Sequence, residues 1–146
     1  MREIKFRGKR IEDGKWVYGN YYKKPSGNVY IYNNQTLSHY RVYPATIGQY
    51  TGLNEKLLRT GKEIYEDDLV EANTIGINYR SEWVKGVVKF LDGCFEVEFC
   101  EPIYDVSIKT YRTRLYLKCF VVNNAIKVIG KIYDNPELLD LEGACT

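Results

Sequence analysis

One histidine, His39, is all the imidazole this 146-residue chain possesses. The cysteines, Cys94, Cys100, Cys119 and Cys145, form no C-x-x-C pair. Zinc sites draw several such ligands from short spacings, so no metal and no other cofactor is expected. Cysteine parity leaves disulfide pairings open. In a cytoplasmic chain the cysteines are expected as small buried hydrophobes, with Cys145 exposed near the end. No run approaches the roughly 18 apolar residues of a membrane span, so no membrane partner is expected. The basic opening "MREIKFRGKR" leads into no apolar stretch, so no secretory signal is read, and the first Met suggests an uncut front. An excess of one charge is lacking too: 21 Lys and Arg stand against 19 Asp and Glu, for a net +2. That balance argues against disorder and against nucleic-acid binding by overall charge. The glycines at 48, 52, 61 and 86 fit neither G-x-x-x-x-G-K-[ST] nor G-x-G-x-x-G, which removes the common phosphate loops.

Aromatics are abundant: 14 Tyr, 5 Phe and 2 Trp. Tyrosine suits a half-buried pleated surface with its hydroxyl in water, so the surplus favours strands. "KWVYGNYY" and "VYIY" flank the turn-forming stretch around Pro25-Ser26-Gly27-Asn28 and predict a hairpin closed by Asn33-Asn34. A short strand is expected around Ile47 to Thr51. "NEKLLRTGKE" predicts a short helix, with Asn54 as N-cap and Gly61 as its stop. "DLVEAN" opens a strand at Leu69. "EWVKGVVKF" and "CFEVEFC" flank Leu91-Asp92-Gly93 as a second hairpin, with Phe95, Val97 and Phe99 on one face. The stretch from Ile108 to Val122 predicts one long strand. Asn123-Asn124 then turns the chain into a last strand, Lys127 to Tyr133, with Gly130 as a bulge. Asn135, Pro136 and Gly143 bracket a C-terminal helix.

In this order, "MREIKFRGKRIEDGKWVYG", "PATIGQYTGL", "GKEIYEDDLV", "GVVKFLDGCFEV" and "VIGKIYDNPELL" resemble the YopX family of small phage and prophage proteins. The resemblance implies a mainly β fold, an SH3-like, partly open antiparallel barrel, made by a phage or prophage in the bacterial cytoplasm. It implies no enzymatic activity and no catalytic residues. The expected organisation is one domain over 1–146: an N-terminal hairpin region at 1–45, a barrel-like core at about 46–133 and a helical tail at 134–146. Two departures stand out. The family's usual E-G-D is here Glu66-Asp67-Asp68, and the segment Asn54 to Thr60 is longer than the usual turn.

The acidic run Glu66-Asp67-Asp68 could in principle bind a hard cation or serve as acid and base. Neighbours on an extended chain alternate sides, however, so the reading adopted is a strand-opening turn whose Asp side chains accept backbone N–H groups. Glycine in the family at position 67 suggests a positive φ there, which Asp tolerates. His39, with Tyr40, Arg41 and Tyr43, is read as a loop residue. Arg112, Arg114, Tyr116 and Lys118 would share one strand face and could contact single-stranded nucleic acid, extended by Arg7, Lys9 and Arg10. The alternative is a solvated face, or one paired with Glu96 and Glu98. Trp16, Tyr18, Tyr21, Tyr22, Tyr30 and Tyr32 crowd the first hairpin, and Trp16, Tyr18, Tyr21, Tyr30 and Tyr32 are candidates for self-association, or for cover by the chain itself. The reading is a non-enzymatic binding or assembly module that forms a homo-oligomer, and the sequence names no host or phage protein as its partner. Nucleic acid is the alternative partner.

Overall fold

Period-two runs become strands in two compact units, Met1–Gly52 and Leu53–Thr146, in a computed structural model that describes residues 1–56 and 60–139. In the first unit β1 (Phe6–Lys9), β2 (Trp16–Lys23), β3 (Val29–Asn33), β4 (Ser38–Val42) and the start of β5 (Gly48–Lys56) lie in the order β4-β3-β2-β1-β5. All the pairs are antiparallel. The foreseen hairpin is β2–β3, in register Tyr22↔Tyr30 and Asn20↔Tyr32. Alternation sends Val29, Ile31 and Val42 inward, where they are buried against Phe6, Val17 and Ile47.

Gly19 lets β2 change partners. Residues up to Gly19 pair with β1, and those from Asn20 onward pair with β3. A Cβ on Gly19 would stand 2.0 Å from the Tyr32 carbonyl oxygen, so only glycine lets the strands approach this closely. β4 follows a turn in which Asn33 Oδ1 accepts the N–H groups of Gln35 and Thr36, at 2.8 and 3.1 Å. The end of β4 then returns to the end of β1. Arg10 bridges Val42, and the Tyr43 N–H donates to the Lys9 carbonyl at 2.9 Å. The curl remains an open sheet rather than a closed barrel.

In the second unit the end of β5 lies beside β6 (Thr60–Tyr65), where Asn54 Nδ2 donates to the Gly61 carbonyl at 3.1 Å. The helix expected from Asn54 is therefore corrected: Asn54 to Lys56 are strand, Gly61 sits inside β6, and Leu57 to Arg59 lie outside the described residues. β7 (Asp68–Asn73), β8 (Trp83–Leu91), β9 (Cys94–Asp105), β10 (Thr110–Tyr116) and β11 (Ile126–Lys131) form an open antiparallel sheet in the order β10-β9-β8-β7-β11. The turn at Asp92-Gly93 has φ of 50° and 83°, the mirror-image geometry that a two-residue hairpin prefers. The bulge foreseen at Gly130 is present, with the register shifting between Val128 and Gly130. Ile64, Val70, Val88, Val97, Leu117 and Ile126 anchor the core.

The long strand expected over Ile108 to Val122 is two elements. β10 ends at Tyr116, and α2 (Leu117–Val122) follows. Leu117, Phe120 and Val121 are buried at i, i+3 and i+4, a helical spacing that so short an apolar run does not separate from a strand. α1 (Ile75–Asn78) was not foreseen. Near the C-terminus Pro136–Leu138 is a single 3-10 turn preceded by Asn135, whose side chain makes no cap. Gly143 and the remainder of the expected helical tail lie outside the described residues.

Candidate functional site

The first unit's sheet carries a cluster of rings on the face opposite its core. The register aligns Asn20, Tyr32 and His39 in one row across β2, β3 and β4, and Tyr22, Tyr30 and Arg41 in the next. Tyr22 and Tyr30 stack at 5.2 Å with 12° between their planes. Tyr32 lies 4.7 Å from the His39 ring, and the Tyr22 hydroxyl is 2.8 Å from His39 Nδ1. Lys24 Nζ sits 4.5 Å over the Tyr30 ring, a cation–π contact. Arg41 Nη2 donates to Asn28 Oδ1 at 2.9 Å. His39 thus belongs to a ring cluster on a strand, and the loop expected for it is corrected. Tyr40 points to the other side of the strand, where the Arg10 guanidinium lies 4.6 Å from its ring.

Of the five rings expected to mediate self-association, the structure brings Tyr30 and Tyr32 together. Tyr21 lies on the opposite face of the sheet, 5.5 Å from Phe6. Tyr18 stands across from Arg7, and Trp16 across from Lys9. Arg7 is 2% exposed, with its guanidinium 5.0 Å from the Trp16 ring, so it does not extend any surface patch. Tyr18 and Tyr21 remain 40% and 39% exposed on their two faces. Tyr22 and His39 complete the cluster. The alternation of Tyr22, Tyr30 and Tyr32 hinted at this, but His39 joins only through the β3–β4 register.

The same face is free of carboxylates in its own sequence. No Asp or Glu occurs between Asp13 and Glu55, whereas Lys15, Lys23, Lys24 and Arg41 all fall in that interval. The carboxylates that precede it in the first unit are each engaged. Glu3 pairs with Lys5 at 3.3 Å, and Glu12 and Asp13 pair with Arg10 at 2.7 and 3.4 Å.

The basic strand of the second unit has the reverse character. Arg112 is ion-paired with Asp105, and Arg114 reaches Asp92 at 2.6 Å and Glu96 at 3.2 Å. The Asp92 carboxylate, then that of Glu96, raise the Arg114 pKa above its ordinary value. Hydrogen bonds from Ser107 and then Arg112 lower the Asp105 carboxyl to about 2. Arg112 and Arg114 also flank a break in the β9–β10 register, opposite Ile103 and Glu98. Tyr116 is exposed at the end of β10, and Lys118 is on α2 rather than on the strand. The shared face expected for Arg112, Arg114, Tyr116 and Lys118 is therefore corrected: the helix removes Lys118, and the pairing foreseen as the alternative occupies Arg114.

The acidic run forms the expected corner. Asp67 has φ of 66°, its N–H donates to the Val88 carbonyl at 2.8 Å, and its carboxylate takes Lys89 Nζ at 2.7 Å. Asp68 is buried and accepts the Tyr65 N–H at 2.8 Å. Among the described residues no three His, Cys, Asp or Glu side chains come together as a metal would require, and no helix is long and apolar enough to cross a membrane. The second unit also holds a cavity of about 590 Å³, walled in part by Asp105, Arg112, Cys119 and Phe120. Cys119 is an exposed free thiol, which corrects the burial expected of it, and Cys94 is half-buried. Burial, and next the Glu96 carboxylate, push the Cys94 thiol pKa up from its ordinary value.

Comparison with known proteins gives a family and a fold. The family model described as "YopX protein" matches residues 5–140. No curated protein matches the chain. Among solved structures, protein yopX from Bacillus subtilis is similar with a TM-score of 0.54 at 20% identity, over 94% of this chain and 98% of that one. Protein EF1440 from Enterococcus faecalis is similar with a TM-score of 0.51 at 20% identity, over 95% of this chain and 99% of that one.

Proposed function

This chain belongs to the YopX protein family, and from that premise we propose that it is a non-enzymatic binding and assembly module whose working surface is the outer face of β2–β3–β4. The observation that carries the reading is the ring cluster of Tyr22, Tyr30, Tyr32 and His39, which lies outside the core of its own sheet. Solvent-facing ring clusters on a rigid sheet are contact surfaces, because aromatics bury much area with little loss of side-chain freedom. The use of reactive groups supports a binding role over catalysis. Asp68 holds a backbone N–H, Asp67 holds Lys89, and His39 is hydrogen-bonded to a tyrosine. The setting proposed is a phage or an integrated prophage, in the cytoplasm of its bacterial host.

Retention from bacterial extract tests the surface. Wild-type chain retains its partners and a Tyr30→Ala/Tyr32→Ala variant of unchanged circular dichroism does not; equal retention by both removes the face from the reading. Association of copies is a second reading, favoured by the exposure of Tyr18 and Tyr21 away from the cluster. It predicts a mass above the monomer by light scattering, falling in Tyr18→Ser/Tyr21→Ser. A monomeric wild type sinks it.

A further inference from the structure

We infer that the outer face of β2–β3–β4 binds single-stranded nucleic acid, with bases stacking on Tyr22, Tyr30, Tyr32 and His39 and phosphates drawn to Lys24 and Arg41. This rests on the reading of that face as the working surface and adds the chemistry of its occupant. Three observations converge on it.

The first is charge. From Asp13 to Glu55 the sequence has no carboxylate, and those of Glu3, Glu12 and Asp13 are held by Lys5 and Arg10. Lys24 and Arg41 therefore have no carboxylate within ion-pair distance among the described residues, and Glu12, which lines a shallow hollow with His39 and Arg41, is held by Arg10. The cations of β10 each have a carboxylate within ion-pair distance. A polyanion gains by releasing its counterions to unpaired cations and gains little from paired ones.

The second is ring geometry. Two rows of side chains across three strands gather four rings into one cluster, Tyr22 stacked on Tyr30, His39 edge-on to Tyr22 and Tyr32 tilted against His39, with neighbouring centroids 4.7 to 5.6 Å apart. Unstacked bases present flat apolar faces to such a platform, and stacking tolerates any sequence. A duplex hides those faces inside its own stack, which is why the inference is for single strands.

The third is where the cations stand. The Lys24 N–H donates to the Asn28 carbonyl and the Gly27 N–H to the Lys24 carbonyl, both at 2.9 Å, so a tight turn fixes Lys24 beside Tyr30. Arg41 lies across from Tyr30 and is oriented by Asn28. Charge thus borders the rings as phosphates border a row of bases. A second copy docked on the same face would set Lys24 and Arg41 against their own equivalents, because a two-fold contact pairs a patch with itself.

Fluorescence anisotropy with a labelled oligothymidylate and the full chain tests this. Binding is expected at low salt. Tyr32→Ala should weaken it roughly tenfold or more, the typical effect of one lost stacking partner. Lys24→Ala/Arg41→Ala, both at exposed positions, should lower the slope of log affinity against log salt by about 1.4, at about 0.7 per phosphate contact. The charge variant keeps the test sharp if Tyr32→Ala does not fold. Absence of binding at low salt overturns the inference. So does equally tight binding of heparin or duplex together with indifference to both variants. If oligonucleotides fail while extract partners remain ring-dependent after nuclease treatment, the inference falls and the working surface stands. If nothing depends on the rings, both fall.

Discussion

Gly19 is where the first unit is most easily broken, and Gly19→Ala puts a number on it. β2 changes partners at this residue, φ is 155°, and a Cβ would lie 2.0 Å from the Tyr32 carbonyl oxygen and 2.7 Å from its carbon. Both contacts are backbone, so no side chain can swing away. An unfavourable φ costs about 1–3 kcal/mol. Parting β2 from β3 to relieve the clash sacrifices ladder hydrogen bonds at about 1 kcal/mol each. Together the loss is about 3–5 kcal/mol, and a unit of this size with a small core rarely holds more than about 3–5 kcal/mol. The buried residues of that core are Val29, Ile31 and Val42. The variant should therefore have an unfolded first unit without denaturant. Trp16 on β2 reports it by fluorescence in a Trp83→Phe background, because those two are the only tryptophans. Gly27→Ala is the control: φ is 92°, nothing lies within 4 Å of its added Cβ, and only backbone strain of about 1 kcal/mol remains. If urea midpoints from Trp16 show Gly19→Ala no worse than Gly27→Ala, the close-approach argument is refuted.

Further outcomes follow from the second unit. Gly86→Ala should lower the transition reported by Trp83, since the new Cβ would meet Val97 Cγ1 at 2.6 Å and the Glu98 carbonyl oxygen at 2.8 Å; an unchanged midpoint counts against the packing. Asp105 has a folded pKa of about 2, below its unfolded value, so its contribution is present above pH 4 and is lost as pH falls toward 2. Asp105→Asn should flatten that acid limb in chemical denaturation, and an unaltered limb removes Asp105 as its cause. Asp67→Gly relieves the positive φ while losing Lys89, and should stay within about 1 kcal/mol of wild type. Asp67→Ala loses the pair and keeps the strain, so thermal unfolding should place it about 1–2 kcal/mol lower. Arg114→Ala should leave oligonucleotide affinity unchanged, because Asp92 and Glu96 already engage that guanidinium; a large loss would return the nucleic-acid contact to β10.

Features that depend on near neighbours in the chain are legible in the sequence. The β2–β3 hairpin came from two ring-rich runs around a Pro-Ser-Gly-Asn turn. The β8–β9 hairpin came from Asp92-Gly93, whose backbone suits the mirror-image turn. The positive φ at Asp67 follows from the resemblance, because the family usually places glycine there. Short apolar runs do not distinguish helix from strand. Leu117 to Val122 satisfies both strand and helix spacing, and burial of Leu117, Phe120 and Val121 settles it as a helix. Asn54 to Lys56 has capping chemistry, yet Asn54 bonds to the Gly61 carbonyl and the segment remains extended.

Composition and alternation, which belong to the chain alone, are enough for the strand-rich character, both sharp hairpins and the gap in carboxylates between Asp13 and Glu55. Tertiary structure decided which cations are engaged and which rings meet. Arg112 and Arg114 are neighbours of Asp105, Asp92 and Glu96 only because β8, β9 and β10 fold back on one another. His39 reaches Tyr22 and Tyr32 only because register carries it across two strands. Contacts between residues distant in the chain depend on register and turns together, and a one-residue slip would turn every ring to the other face.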